Sequence, residues 1–426
     1  MRISRADVFG VLLFAAMTPV NAGMVDAKLL DMLQANGAIT AAQHAELSAD
    51  LARESAEENP AAEKPVSEKD FVAFRHQTGW AANTWLKGDI RVRNEYANIE
   101  DEHKDGGRDK DRQRIRARLG VVTQINSEVE AGIQLASGND AIRRTSNQDL
   151  DNYFDRKSIW LDLTYIDYHP AVVPGFKATA GKMKQPWVAV ADMTWDTDIN
   201  PEGVAASYSR EFGTTTFFGS TGYFIIKDNV DGEGVEWQHD LSLAALQIGA
   251  SFDAGEDLRI MLGGSVNSFN NDKYGSTSSF RANGNTTDKF GLYELFSQID
   301  VNGLALPLSL YGQYVHNAEA EDYGIYEDGD QDSAWLLGVR TSVEGLSIDY
   351  NYREVQSNAV VGGFTDSDFA AGVTGSSGHK LKLKYEFLKN FAGSVTYYNT
   401  EADMVSRNKP DDADVDILQI DLEARF

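Results

Sequence analysis

From about Trp80 to Phe426 the sequence alternates between apolar and polar residues with a period of two. Because a β-strand points successive side chains to opposite faces, this period predicts strands with one apolar and one polar face. The segment 111–125, DRQRIRARLGVVTQI, shows the pattern most strongly, with arginine at four alternate positions and apolar residues between and after them. Such strands need water on one side and an apolar medium on the other.

The predicted strands are joined by short turns and long polar loops in alternation. The turns lie at 126–127, 170–175, 212–213, 253–256, 301–304, 344–345 and 388–390. The loops cover 99–111, 138–156, 186–203, 227–236, 270–288, 319–332, 357–378 and 402–414. Together these connections predict sixteen strands, and short turns at one end with long loops at the other are typical of an outer-membrane barrel.

A soluble β-sandwich also alternates polar and apolar residues, and it is the main alternative fold. The polar faces carry too much charge to pack in a soluble core, whereas a barrel turns its apolar face to lipid and its charged face to a wet lumen. We therefore predict an all-β protein, a 16-stranded antiparallel transmembrane β-barrel over residues 84–426, preceded by a short periplasmic helical hairpin.

The residues before the barrel fall into three predicted segments. Residues 1–22 combine a basic start, an apolar run and a small-residue cleavage site, which predicts a secretory signal peptide. Residues 23–56 carry two apolar helical stripes, and Thr40 with Gln43 forms a capping box, so a helical hairpin is expected. Residues 57–83 form a linker. Deletion of the hairpin is expected to leave conductance intact.

Several stretches together resemble the putative porin family of Gram-negative outer membranes, which is itself similar to general porins. They are GDIRVRNEY, RDKDRQRIRARLGV, IQLASGND, KSIWLDLTYIDYHP, ATAGKMKQPW and WDTDINPEG. The resemblance covers about 84–426 and implies a channel for passive diffusion of small hydrophilic solutes. It also implies contact with lipid and lipopolysaccharide, and a homotrimer as a possible assembly. It also implies that the terminal Phe426 is the aromatic residue that the barrel assembly machinery reads.

The lumen of this barrel is expected to be basic although the chain has a formal charge of −26. The predicted lumenal cations are Arg91, Arg93, Arg112, Arg114, Arg116, Arg118, Lys182, Lys184, Arg353, Lys380, Lys382 and Lys384. A wall of one charge concentrates the opposite ion, so the channel is expected to prefer anions. In similar porins the third loop folds inward, and here it carries Asp192, Asp196, Asp198 and Glu202. The arginines could filter ions, latch this loop, or do both.

No catalytic residue, metal, cofactor or nucleic-acid partner is predicted. The segment 196–203 resembles a calcium loop only in part, because Pro201 stands where glycine is needed. His316 shares a face with Leu310 and Tyr314, which leaves open a hydrolase on the outer barrel wall, but no nucleophile motif accompanies it. A structural barrel that binds a partner through its hairpin is the other alternative. We therefore predict a channel and not an enzyme.

Overall fold

A computed structural model describes most of the chain. The described residues are 30–36, 38–57, 83–101, 109–139, 143–274, 280, 283–321, 329–403 and 412–426. The predicted signal peptide and nearly all of the predicted linker lie outside them. Within these residues, no helix combines the length and apolarity that a membrane crossing requires.

The chain divides into two units, and the first, residues 1–79, contains the helices. Helix α1 is described over residues 30–35, and α2 spans Ala41–Glu57. The predicted capping box is confirmed, because the Thr40 N–H donates to Gln43 Oε1 at 3.0 Å and the Gln43 N–H donates to Thr40 Oγ1 at 3.4 Å. The two helical segments touch where His44 Nε2 lies 3.0 Å from Asp31 Oδ1.

The second unit, residues 80–426, is a β-barrel. Its strands are β1 Thr84–Asp101, β2 Lys110–Asn126, β3 Val129–Ser137, β4 Ile159–Tyr168, β5 Phe176–Lys182, β6 Glu202–Phe212, β7 Thr215–Lys227, β8 Leu241–Asp253, β9 Leu258–Asn270, β10 Gly291–Val301, β11 Leu308–Asn317, β12 Ser333–Val343, β13 Leu346–Val355, β14 Ser376–Leu388, β15 Phe391–Asp403 and β16 Asp412–Arg425. The prediction of sixteen strands is confirmed, and all seven short turns fall where expected. A further two-residue strand, Gln148–Asp149, pairs with β2 but belongs to a loop.

Each strand pairs antiparallel with the next, and β1 also pairs with β16, so that the sheet closes. This closing register runs from Asp89 opposite Arg425 to Asp101 opposite Ala413. The terminal residue extends it, because the Phe426 N–H donates to Gly88 O at 3.0 Å and Phe426 O accepts the Gly88 N–H at 2.8 Å. The carboxyl terminus is therefore a hydrogen-bonded part of the seam.

The predicted division into an outer apolar face and an inner charged face is confirmed on the strands beside the seam. On β1, Ile90 and Val92 are about half exposed, whereas Arg93 and Glu95 are buried at 4% and 2% exposure. Because the exposed side chains are the apolar ones, this surface suits lipid, and the polar groups are turned to the interior.

Strands β6 to β13 contribute many apolar side chains to the interior, which the sequence analysis did not predict. Opposite the seam, strands β6 to β13 point apolar side chains inward, including Phe224, Leu243, Phe296 and Leu336. These pack against buried residues of two long connections, loop L3 (residues 183–201) and loop L7 (residues 356–375). Part of the barrel interior is thus a packed apolar core. The charged wall, formed by β13, β14, β16, β1 and β2, adjoins this core, and Glu294 of β10 is a further buried charge.

The seam generates a first prediction. A Cβ atom at Gly88 would lie 2.4 Å from Arg118 O and 2.7 Å from the Phe426 ring, so Gly88→Ala should strain the seam by about 1–3 kcal/mol. We expect a smaller folded fraction, measured as heat-resistant compact migration in a detergent gel. Gly120→Ala is the control, because its nearest neighbour is 3.5 Å away, and it should fold normally. Equal folding of both variants would contradict the role assigned to the seam.

The alternating connections generate a second prediction, about sidedness. Epitope tags inserted within 319–332 or 402–414 should be labelled by antibody on intact cells, because long loops face outward in such barrels. A tag between Asn126 and Ser127, in a short turn, should be labelled only after the outer membrane is opened. Labelling of the turn on intact cells would invert the topology.

Candidate pore constriction

The predicted arginines of β2 share one inner face, and each of them meets a carboxylate. Arg116 Nε donates to Asp89 Oδ1 at 2.8 Å, and Arg118 Nε donates to Asp89 Oδ2 at 2.7 Å. Asp89 lies on β1 directly opposite Arg118, so strand register places this carboxylate between two guanidinium groups. Arg116 also contacts Glu423 of β16 at 3.2 Å.

The same pairing continues along the seam. Glu95 of β1 accepts hydrogen bonds from Arg112 Nε at 2.7 Å and from Arg114 Nη1 at 3.3 Å. Arg93 forms two bonds with Asp421 of β16, at 2.7 and 2.9 Å. Forked guanidinium–carboxylate contacts of this kind are among the strongest side-chain hydrogen bonds. The ladder is therefore largely neutralised by acids of the wall itself.

These wall acids were missed as partners, although the sequence contained the signal. Asp89 and Glu95 stand two residues from an arginine in GDIRVRNEY, and Asp421 and Glu423 alternate in the last strand. Period two puts them on the same face as the arginines, but only the pairing of β1 with both β2 and β16 brings the two sets together.

Loop L3 crosses the interior to the charged wall, as expected for the third loop. Asp192 at its middle accepts hydrogen bonds from Arg353 Nη2 of β13 at 2.9 Å and Lys380 Nζ of β14 at 2.8 Å. Burial opposes ionisation of Asp192, but the two cations outweigh it and hold its pKa below the ordinary value. Near the end of L3, Asp198 Oδ2 accepts the N–H and the hydroxyl of Ser146, each at 2.9 Å. L3 is therefore anchored at two separate points.

Asp196 behaves differently, because it contacts backbone instead of a cation. Its Oδ1 accepts the Asp198 N–H at 2.9 Å and its Oδ2 accepts the Ser367 N–H at 2.8 Å, while its own N–H donates to Phe364 O at 2.6 Å. Burial, together with the nearby charges of Asp366 and Asp198, raises the pKa of Asp196. Asp196 thus joins L3 to L7.

Loop L7 is a second inward loop that the sequence analysis did not identify. Trp195 of L3 stacks on Phe364 of L7 with ring centroids 5.4 Å apart, and the Thr365 hydroxyl donates to Met193 O at 2.6 Å. The available signal was the apolar run AVVGGF at 359–364 within a polar loop. A constriction in this barrel is therefore built from two loops joined together.

L7 also reaches the charged wall through two carboxylates. Asp366 lies 3.3 Å from Arg353 Nη1 and 3.5 Å from Lys380 Nζ. Asp368 lies 3.0 Å from Arg93 Nη1, and although burial opposes ionisation, this arginine lowers the pKa of Asp368 to about 2. Arg353 is almost fully buried beneath this loop. The cations of β13 and β14 thus hold both loops.

The remaining predicted site residues are placed as follows. Lys182 and Glu202, which end β5 and begin β6, pair with each other at 2.6 Å and are outside the two-loop contact. Lys184 donates to Asn200 Oδ1 at 2.9 Å. Within the described part of the chain, Lys382 and Lys384 of β14 have no carboxylate within 4.0 Å, and Arg91 bonds only to the amide oxygen of Asn147, at 2.6 Å.

His316, the residue behind the hydrolase alternative, lies on the outer wall opposite Ser333 of β12. Its Nδ1 is 3.5 Å from Asp332 Oδ1, and the Ser333 hydroxyl donates to that same oxygen at 2.7 Å. A serine nucleophile needs its hydroxyl bonded to the base. Within the described part of the chain, no hydrogen bond joins Ser333 to His316.

The closed barrel with inward loops defines a class, the transmembrane β-barrel channels, and sequence comparison identifies the family. The family model described as "Putative porin" matches residues 103–298 and 288–426. The chain therefore belongs to the putative porin family, as its motifs suggested, and it is an outer-membrane porin.

Comparison with individual proteins adds two kinds of match. "Phosphate starvation-inducible protein 1" of Pseudomonas fluorescens is 64% identical over 33 residues, which are 8% of this chain and 85% of that protein. Two engineered variants of the Rhodopseudomonas blastica porin, one double and one triple mutant, are each 9% identical. Each structural match covers 80% of this chain and 100% of the other, with TM-scores of 0.43 and 0.45.

The anchoring of L3 generates a third prediction. Asp192→Asn removes the charge that Arg353 and Lys380 share, and each lost hydrogen bond to a charged group costs about 1.5–3 kcal/mol. We expect larger and noisier single-channel conductance, because L3 is held less firmly. Glu202→Gln is the matched control, since among the described residues this acid pairs with Lys182 alone. Quiet, unchanged currents from the Asp192 variant would show that L3 does not depend on this anchor.

Proposed function

We propose that this porin conducts small hydrophilic solutes and prefers anions. The observation that carries the proposal is the difference between the two kinds of charge at the constriction. The acids Asp192, Asp198, Asp366 and Asp368 each contact a cation. By contrast, Arg91 and Lys382 face the same space without a carboxylate partner in the described part of the chain.

This refines the expected role of the arginine ladder. Arg114 and Arg116 are paired with Glu95 and Asp89, so their charge contributes little net field to a passing ion. An unpaired cation contributes its full charge, which in water amounts to about 0.5 kcal/mol on a monovalent ion about 8 Å away. The preference should therefore depend on Arg91 and Lys382 more than on the ladder.

The name of the Pseudomonas fluorescens relative supports one anion in particular. That protein is described as inducible by phosphate starvation, and phosphate is a small hydrophilic anion of the class that a basic constriction favours. We therefore propose inorganic phosphate as one of the solutes that this porin carries.

We also propose how the chain reaches the outer membrane and what it contacts there. Cleavage after residue 22 would deliver the chain to the periplasm, and assembly machinery would read Phe426 before its backbone joins Gly88 in the seam. Lipopolysaccharide would contact the outer ends of the strands, and a homotrimer is the assembly that similar porins suggest. The 23–56 hairpin is proposed to lie on the periplasmic side.

The fourth prediction tests anion preference by reversal potential in a salt gradient. Arg91→Gln should lower the anion-to-cation permeability ratio by about fivefold in dilute salt, as expected for loss of about 0.5 kcal/mol on ions of each sign. The shift should nearly vanish at 1 M salt, where the screening length is ~3 Å.

Lys389→Gln is the control, because it removes the same charge from an exposed short turn, and its reversal potential should match that of the unmodified protein. Cation selectivity of the unmodified channel would overturn the proposal. A folded barrel that passes no ions would favour the scaffolding alternative instead.

A further inference from the structure

A small polar cavity lies between the two inward loops and the charged wall. Its volume is about 130 Å³, and almost all of its exposed lining is polar. Arg144, Thr145 and Asn147 of the loop between β3 and β4 (L2) and the loops L3 and L7 form one side, and strands β1, β2, β14, β15 and β16 form the other. This volume is large enough to hold several waters or one small ion.

The carboxylates that line this cavity are already occupied. Asp192 and Asp366 share the cations Arg353 and Lys380, and Asp368 contacts Arg93. Both oxygens of Asp196 accept backbone N–H groups. Asp198, the fifth carboxylate of the lining, lies 3.4 Å from Arg118 Nη1. Four of the five acids are therefore each paired with a cation, and Asp196 is held by backbone.

Three other cations of the cavity have no carboxylate partner among the described residues. Arg91 donates one Nη to the Asn147 amide oxygen, and its Nε is buried without an acceptor. Arg144 donates to two backbone carbonyls of L7, at 3.2 and 3.0 Å. Lys382 makes neither an ion pair nor a side-chain hydrogen bond there. Among these three residues, the buried donor without an acceptor is the Nε of Arg91, and such a group is unfavourable by about 1–3 kcal/mol. Three cations without a carboxylate partner in the described part of the chain together favour an anionic ligand.

The donors also have a particular geometry. Two guanidinium groups and one ammonium line the cavity from three elements, namely β1, L2 and β14. A guanidinium fork matches the paired oxygens of a phosphate or similar oxyanion, whereas a halide offers a single acceptor. The nearby acids restrict the ligand to a small ion, because a longer polyanion would meet Asp196 and Asp366.

We propose that this cavity, with Arg91, Arg144 and Lys382 as its donors, is a binding site for a small oxyanion of the inorganic phosphate class. This inference rests on the proposed anion preference and adds a discrete site to it. Conduction requires that such a site binds weakly enough to release the ion. The site would therefore appear as saturable, reversible inhibition of the chloride current by phosphate.

The test is a single-channel recording on the full-length purified porin in potassium chloride, with inorganic phosphate added at constant ionic strength. We expect half-maximal inhibition at about 1 mM, the range of a weak site. Arg91→Gln and Lys382→Gln should each raise that concentration by about tenfold, as expected for losing a hydrogen bond to a charged group. Lys389→Gln should leave it unchanged.

Arg91→Lys keeps the positive charge and removes the guanidinium fork. It therefore distinguishes binding that needs the fork from binding that needs only a positive charge. If Arg91→Lys raises the half-inhibitory phosphate concentration about as much as Arg91→Gln does, recognition by the fork is supported. If Arg91→Lys is inhibited as strongly as the unmodified channel, recognition by the fork is overturned. Loss of heat-resistant gel migration identifies any variant that does not fold. If the Arg91 variants do not fold, the inhibition measured in Lys382→Gln decides the test.

The two proposals can fail separately. An anion-selective channel without saturable inhibition by phosphate would overturn the site and leave the proposed function intact. A cation-selective channel that phosphate still inhibits through Arg91 would overturn the proposed preference and support the site. Equal inhibition in all variants would overturn the site under either selectivity.

Discussion

The structure depends on one constraint, that strand backbone in a lipid environment must bond to strand backbone. Sixteen strands meet this constraint only if β1 pairs with β16, and Phe426 extends that pairing through its backbone bonds to Gly88. Gly88 is required there because the Phe426 ring and Arg118 O leave no room for a side chain. Closure in turn fixes which side chains face inward, and the chemistry of the lumen follows from it.

Closure also decides how the basic wall is neutralised. A strand with arginine at every second position would be unstable beside another basic strand, because like charges would face each other without counter-charge. The seam instead places carboxylates of β1 and β16 among these arginines, and Asp89 alone contacts two of them. The ladder is thus a structural network of the wall. In the function we propose, the cations that act on a passing ion are the few outside that network.

The two inward loops extend this logic to the constriction. Their apolar residues complete a core against the inner faces of β6 to β13, and their acids contact the cations of β13, β14 and β1. Each loop therefore contacts both the apolar core and the charged wall. Because the loops are also bonded to each other through Asp196 and Phe364, the constriction is one unit with several anchors.

The sequence by itself determined the strand count, the positions of the short turns and the inward position of the β2 arginines. Alternation and turn spacing are local properties, and period two needs no knowledge of distant residues. Only the tertiary structure decided which charges are paired, because Arg93 and Asp421 are 328 residues apart and meet at the seam alone. The same holds for L7, because its short apolar run indicates an inward position only once the structure shows that it packs against L3. The sequence shows which charges the chain carries, but closure of the barrel decides which of them pair. In the described part of the chain, Arg91 and Lys382 then have no carboxylate partner.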